Sequence, residues 1–222
     1  MAMYAKCGSI GTARQVFDKM SERGVVSWNA MIAGYVQNGY ASKALTLFYE
    51  MQSEGIKANA ETAVGVLAAC AYLRALQQGK SIHHYVVRSG FEIDVYVSNS
   101  LVSLYAKCDS IEVASQLFRK MYNRDVVSWN SMITGYSQKG HANEALSLFH
   151  EMQLVKVIPE SVTIVSVLQE CAHLGSLQQG KVIHDYMIHN GFNSDVSVGN
   201  AFIAMYAIFL AWKLHVKYLI TC

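Results

Sequence analysis

The sequence predicts an all-α protein, and more narrowly an α-solenoid of stacked helix–turn–helix units. Apolar residues recur with the i, i+3, i+4, i+7 spacing of amphipathic helices, and the 222 residues contain a single proline. The chain also repeats itself almost completely after 101 residues. A helix pair cannot bury its apolar stripe alone, so neighbouring pairs are expected to stack and share one continuous core.

The internal repeat is a tandem duplication. The string VVSWN occurs at residues 25–29 and again at 126–130, an offset of 101 residues. The same offset aligns residues 3–106 with 104–207 without a gap, and 54 of these 104 pairs are identical. A period of 101 residues is longer than a single solenoid unit, which usually spans about 20 to 50 residues, so each block must be divided further.

The first block divides into three helix pairs, over residues 25–59, 60–94 and 95–125. In the first pair we expect a helix over roughly 27–37, ended at Gly39, because glycine readily takes the left-handed conformation found at helix C-termini. A second helix should follow up to Gly55, and the second pair should stop at Gly90. The second block then repeats this division over residues 126–160 and 161–195, with incomplete units at 1–24 and 196–222.

The periodic apolar residues are expected to form the core. Phenylalanine and methionine recur at matched places in the second helices, which indicates packing residues and not a cofactor site. These residues are Phe48, Met51, Phe118, Met121, Phe149 and Met152. Since no linker or change of composition interrupts the array, we expect one continuous domain.

Composition excludes several classes of protein. Hydrophobic residues make up 52% and charged residues 15%, so the chain is too apolar to be intrinsically disordered. The net charge of +2 excludes a protein that holds nucleic acid mainly through excess positive charge. Residues 196–212 carry no charge, but their fully apolar part is 12 residues long and a membrane span needs about 20, so a buried helix and no membrane partner are predicted.

No catalytic or metal site is expected. The five cysteines are odd in number and form no CxxC pair, which argues against a disulfide framework and a zinc ribbon. Cys7 and Cys108, and likewise Cys70 and Cys171, are repeat equivalents and are expected to be core residues. The zinc deaminase signature, the phosphate loop, the dinucleotide-binding glycine motif and HExxH are all missing, so the sequence predicts no enzyme and no cofactor.

Units of 35, 35 and 31 residues resemble the P, L and S repeats of the plant pentatricopeptide repeat family, PLS subclass. The resemblance rests on VVSWNAMIAGYVQNGYASKALTLFYEMQSEGIKAN, ALQQGKSIHHYVVRSGFEIDV and YVSNSLVSLYAKCDSIEVASQLFRKM, and it covers residues 1 to about 207. It implies a right-handed superhelix. The chain begins inside an S-type unit and leaves the pattern after Ala207, so we expect a fragment without the E and DYW domains that end many family members.

The resemblance also implies which residues read RNA bases. In this family the fifth residue of each unit, helped by the last, contacts one base of single-stranded RNA. By position these pairs are Asn29 with Asn59, Asn99 with Asp125, and Asn130 with Glu160, while Asn200 is the fifth residue of the last unit. The family pattern assigns uracil to Asn with Asp and a pyrimidine to Asn with Asn, and we expect a pyrimidine at the unusual Asn130–Glu160 pair. The L-type units have valine at the fifth place and should read weakly.

Other contacts follow from the same register. The second residue of each unit should flank the base, which selects Val26, Tyr96 and Val127. Contacts with phosphate are expected late in the first helices, at Lys6, Lys107, Gln37 and Gln138. Two other interpretations stay open at this stage: an asparagine at the fifth place suits a helix N-cap, and the lysines suit a solvated surface.

The resemblance implies sequence-specific binding of single-stranded RNA, one base per repeat, with a preference for pyrimidines. It further implies a specificity factor for organellar RNA processing or C-to-U editing in the mitochondrion or chloroplast, working with an editing deaminase or other editing factors in trans. Two alternatives remain. One is a tetratricopeptide-like scaffold that binds a peptide, and the other is a non-functional gene fragment.

Overall fold

The computed structural model describes residues 2–220, with the side chains of 3–192 and 194–211. Within this range the chain forms thirteen α-helices and two short 3-10 turns, and contains no strand. The first six helices are α1 (Ala2–Lys6), α2 (Ile10–Asp18), α3 (Val25–Gln37), α4 (Ala41–Ser53), α5 (Ala60–Leu73) and α6 (Leu76–Arg88). The others are α7 (Val95–Lys107), α8 (Ile111–Lys120), α9 (Val126–Gln138), α10 (Ala142–Leu154), α11 (Ser161–His173), α12 (Leu177–His189) and α13 (Val196–Ile220).

Each predicted unit begins where a helix begins. Helices α3, α5, α7, α9, α11 and α13 start at the first residue of the successive units given by the sequence. Helix α3 starts two residues earlier than the expected 27, which places the fifth residue of the unit well inside the helix. Gly39, Gly55 and Gly90 have positive φ angles of 79°, 76° and 69°, as expected for glycines that end helices.

The chain divides into two compact units, where the sequence, lacking a linker, predicted one continuous domain. The first unit extends to Asn123 and the second begins at Arg124. The boundary follows α8, whose ten residues make it shorter than the thirteen-residue α4 and α10. Each unit is a stack of helix pairs, in keeping with an α-solenoid.

The core of each unit is built around a tryptophan near the start of a first helix. Trp28 in the first unit is fully buried and lies edge-to-face against Phe17, with ring centroids 4.9 Å apart, while Trp129 fills the matching place in the second. Five of the six phenylalanines and methionines expected in the core are buried. The expectation was wrong for Met121, which is half-buried because α8 ends at Lys120 and the chain becomes extended there.

Helix α13 is apolar, but over its described side chains, residues 196–211, only one side is covered. Val198, Phe202 and Met205 are buried, whereas Ile203 and Leu210 are 70% and 62% exposed. The prediction of a buried helix therefore holds for one face of this segment and is wrong for the face that carries Ile203 and Leu210. The side chain of Trp212 lies outside the described residues. None of the helices in residues 2–220 has the length and apolar character required to cross a membrane.

Candidate nucleic-acid interface

The fifth residue of each unit lies inside a helix and does not cap it. Asn29, Asn99, Asn130 and Asn200 occupy the fifth positions of α3, α7, α9 and α13. The capping role belongs instead to the last residue of the preceding unit. The Asn59 side-chain oxygen accepts a hydrogen bond from the backbone N–H of Thr62 at 2.9 Å, and a carboxylate oxygen of Asp125 accepts one from Ser128 at 3.0 Å. The N-cap interpretation of the fifth residues is therefore wrong.

In the first compact unit, the fifth and last residues of the predicted P-type repeat meet side chain to side chain. Asn29 Nδ2 donates to Asn59 Oδ1 and to Glu61 Oε2, each at 3.0 Å. The hydroxyl of Thr62 donates to Asn29 Oδ1 at 2.6 Å. Both amide hydrogens and one carbonyl lone pair of Asn29 are thus engaged within the protein, and the residue is only 3% exposed.

The equivalent site in the second compact unit is more open. Asn130 Nδ2 donates to Glu160 Oε2 at 2.8 Å, and the hydroxyl of Thr163 donates to Asn130 Oδ1. The place of Glu61 is taken by Val162, which cannot accept a hydrogen bond. The second amide hydrogen of Asn130 therefore has no partner among the described residues, and both Asn130 and Glu160 reach the surface.

The remaining predicted base-reading residues are placed as follows. Asn99 is 6% exposed in α7 of the first unit, whereas Asp125 caps α9 of the second unit. Asn200 in α13 is exposed. In the predicted L-type units, Val64 and Val165 at the fifth place are half-buried and offer only hydrocarbon.

The last residues of the L-type units act as helix caps. Asp94 accepts from the backbone of Tyr96 at 2.8 Å, and Asp195 accepts from Ser197 at the same distance. The Ser161 hydroxyl also donates to Asp195 at 2.5 Å. This hydrogen bond, with those from the backbone, lowers the pKa of the Asp195 carboxyl.

In the units that start at Val25, Val95 and Val126, the second residue carries an exposed apolar side chain beside the fifth. Val26 is 74% exposed, Tyr96 69% and Val127 50%. Residues three apart on a helix are neighbours on one face, so each lies one turn before the asparagine of its unit. These side chains can pack against the flat face of a base whose edge meets the asparagine.

The four residues predicted to contact phosphate occupy equivalent positions, each at the C-terminal end of a first helix. Lys6, Lys107, Gln37 and Gln138 are the last residues of α1, α7, α3 and α9, and all four are exposed. On α3, α7 and α9 they follow the fifth residue by eight positions, about 12 Å along the helix axis. A lysine at a helix C-terminus is also favoured by the helix dipole. Contact with phosphate therefore remains a prediction.

Three contributors to the site were not predicted from the sequence: Thr62, Thr163 and Glu61. Thr62 and Thr163 are buried and donate to Asn29 and Asn130 in the same way. Their recurrence 101 residues apart was the available signal. Glu61 left no such signal, because its counterpart in the second block is a valine.

Two of the four cysteines that the structure describes, Cys70 and Cys171, have thiols made unreactive by burial. Burial raises the pKa of the Cys70 thiol to about 11 and that of the Cys171 thiol to about 12, so both are protonated at neutral pH. Cys108 is also buried, but Cys7 is exposed, so the expected core role was wrong for Cys7. Over the part of the chain that the structure describes, no three His, Cys, Asp or Glu residues are grouped to hold a metal ion.

Comparisons with known proteins agree with this architecture. A model of the PPR repeat family matches residues 23–71 and 124–173, and a PPR repeat model matches 1–25 and 96–126. A chloroplastic pentatricopeptide repeat-containing protein of Arabidopsis thaliana is 47% identical over 204 residues, which is 92% of this chain and 25% of that protein. A mitochondrial one from the same plant is 42% identical over 207 residues, 92% of this chain and 30% of that protein. The chain thus spans between a quarter and a third of the length of these relatives.

Solved structures show the same fold. The pentatricopeptide repeat protein PPR10 from maize is 20% identical, with a TM-score of 0.67 over 91% of this chain and 30% of its own. A PPR10 structure in complex with an 18-nt psaJ RNA element is 21% identical, with a TM-score of 0.77 over 91% of this chain and 31% of its own. The matched region has the α-solenoid fold. Repeat models that match on both sides of the duplication, together with relatives above 40% identity, place this chain in the pentatricopeptide repeat family.

Proposed function

We propose that this chain binds single-stranded RNA, with successive repeats contacting successive bases. The observation that carries the proposal is the surface group formed by Asn130, Glu160 and Val127. Asn130 keeps an amide hydrogen without a partner among the described residues, and Glu160 supplies a carboxylate acceptor 2.8 Å from the same amide. Donor and acceptor together suit the Watson–Crick edge of a base, and the exposed Val127 suits its face.

The family supports the wider role. The relatives carry chloroplastic or mitochondrial in their names, and PPR10 has been solved with a psaJ RNA element. We therefore propose an organellar specificity factor for RNA processing or C-to-U editing, with a preference for pyrimidines and with a deaminase or other editing factors acting in trans. Membership of the pentatricopeptide family removes the basis for the tetratricopeptide-like alternative.

The proposal predicts that Asn130→Ala weakens binding to a pyrimidine oligomer by about tenfold, the effect of losing roughly one good hydrogen bond. Binding of the full chain would be measured by fluorescence anisotropy on matched pyrimidine and purine oligomers. Asn143→Ala is the control, since Asn143 is an exposed asparagine on α10 of the same compact unit. Equal affinity of the unmodified chain for both oligomers, or equal effects of the two variants, would overturn the proposal.

A further inference from the structure

The two predicted P-type units share the string VVSWN but surround its asparagine differently. In the unit that starts at Val25, the amide of Asn29 has two acceptors, Asn59 and Glu61. In the unit that starts at Val126, the amide of Asn130 has one described acceptor, Glu160. The number of acceptors differs because of one position, which holds Glu61 in the first block and Val162 in the second. The other acceptor also changes, from the amide of Asn59 to the carboxylate of Glu160.

We infer that Glu61 is a specificity-determining residue that suppresses base reading by Asn29. The inference rests on the proposed function, because it concerns how one of the repeats would contact RNA. The two copies of VVSWN then have unequal roles. The asparagine of the second copy discriminates between bases, whereas in the first copy the carboxylate of Glu61 competes with a base for the amide of Asn29.

Both amide hydrogens of Asn29 are donated to acceptors within the protein. Asn59 Oδ1 accepts from the backbone of Thr62 and from Asn29, which fills both of its lone pairs. The single hydroxyl proton of Thr62 is then directed to Asn29 Oδ1, the shorter of its two contacts at 2.6 Å against 2.8 Å. A base that needs an N–H from Asn29 must therefore displace a protein acceptor first.

Glu61 is the acceptor that a base would meet. It is exposed, whereas Asn29 beneath it is buried. It also stands in the first turn of α5, where the helix N-terminus stabilises a negative charge. A carboxylate only accepts hydrogen bonds, so it cannot replace the N–H that it occupies, and its charge repels an approaching phosphate.

The test compares Glu61→Val with Glu112→Val in the full chain. Glu112 is an exposed glutamate in the first turn of α8, so its replacement makes the same change in net charge and at the same place in a helix. Glu61→Val is expected to raise the ratio of affinities for pyrimidine and purine oligomers by about tenfold, and Glu112→Val by less than about twofold. This ratio does not change when a fraction of the chain is unfolded.

Asn29→Ala is then measured in both backgrounds. It should alter the ratio by less than about twofold in the unmodified chain and lower it by about tenfold in Glu61→Val. The reciprocal change, Val162→Glu, should abolish the effect of Asn130→Ala. Equal effects of Glu61→Val and Glu112→Val, or a full loss with Asn29→Ala in the unmodified chain, would overturn the inference.

The two proposals fail separately. If Asn130→Ala has no effect in the unmodified chain, base reading itself is refuted, and with it the role of Glu61. If Asn130→Ala lowers the affinity ratio but Glu61→Val leaves it unchanged, only the role of Glu61 is refuted.

Discussion

A buried carboxylate distinguishes the second compact unit from the first. Glu170 is fully buried, and its Oε1 accepts a hydrogen bond from the Ser137 hydroxyl at 2.6 Å and lies 3.4 Å from His173 Nδ1. Its Oε2 has no hydrogen-bond partner among the described residues. The equivalent positions in the first unit hold Val36 and Ala69, which need no such partners. Removing a carboxylate from water costs free energy that one or two hydrogen bonds do not fully offset.

We expect the double variant Ser137→Val with Glu170→Ala to raise the free energy of unfolding by about 1–3 kcal/mol, because it replaces a buried charge with the apolar pair used by the first unit. Urea denaturation followed by circular dichroism measures this. Ser137→Val alone should destabilise by about 1–3 kcal/mol, since it removes a donor from the buried carboxylate. A double variant less stable than the unmodified chain would show that Glu170 contributes net stability.

For single residues, the sequence predicted the position in the repeat better than it predicted the side-chain contacts. The repeat register paired Asn29 with Asn59, and their side chains are in contact because the last residue of one unit precedes the first turn of the next helix. That the two residues read a base stays a prediction. The structure excludes the N-cap alternative, because α3 begins at Val25 and Asn29 is its fifth residue. The contact between Asn29 and Glu61 was not predictable, since it depends on how closely two neighbouring helices approach.

Helix packing in the two blocks differs at a pair of equivalent glycines. A Cβ added to Gly79 on α6 would lie 2.5 Å from Leu104 Cδ2 and 2.9 Å from Cδ1 on α7. A Cβ added to Gly180 on α12 would lie 2.5 Å from Met205 Sδ on α13. Leucine is branched and presents its whole end to the glycine, whereas the unbranched methionine can swing away.

Gly79→Ala is therefore expected to destabilise the chain by about 1–3 kcal/mol through overpacking. Gly180→Ala should stay within about 1 kcal/mol of the unmodified chain, because the gain in helix propensity of alanine over glycine offsets the smaller clash. Thermal unfolding measures both. Gly11→Ala on α2 is the control, since an added Cβ there meets nothing within 4 Å and should only stabilise. Equal losses at Gly79 and Gly180 would contradict this account.

The ends of helices were predictable where a glycine marks them, but not where the length of the repeat unit determines the last helical residue. Gly39, Gly55 and Gly90 end their helices as expected, because a positive φ strains any residue with a Cβ. Met121 fits the apolar stripe, three residues after Phe118. It lies outside the helix because the third predicted unit has 31 residues and its second helix is correspondingly short.

At the scale of the whole molecule, the duplication predicted the solenoid class but not its division. Stacking follows from stripes that no helix pair can bury alone, and this property is visible in the sequence. The boundary between Asn123 and Arg124 depends on how densely side chains pack along the array. No stretch rich in glycine, proline or serine marks that boundary, so the sequence offered no linker there.

The low net charge predicts a weak dependence of RNA binding on salt. The chain has 18 basic and 16 acidic residues, and the lysines at the predicted phosphate positions are Lys6 and Lys107. Each phosphate neutralised on a single strand contributes about −0.7 to the slope of log K against log of the salt concentration, so two contacts give a slope of about −1.4. Titrations of the full chain at increasing sodium chloride concentrations measure the slope.

Lys107→Gln tests the origin of that slope, because it installs the residue that Gln138 supplies at the same place in the next unit. If Lys107 contacts phosphate, the slope should become shallower by about 0.7 while the preference between pyrimidine and purine oligomers stays unchanged. Lys80→Gln, on α6, removes the same charge from an exposed site outside the predicted interface and should leave the slope as it is. A slope steeper than about −4 would require about six neutralised phosphates, more than Lys6 and Lys107 can account for. Such a slope, or equal effects of the two variants, would mean that basic residues elsewhere, and not those at the ends of the first helices, contact the RNA backbone.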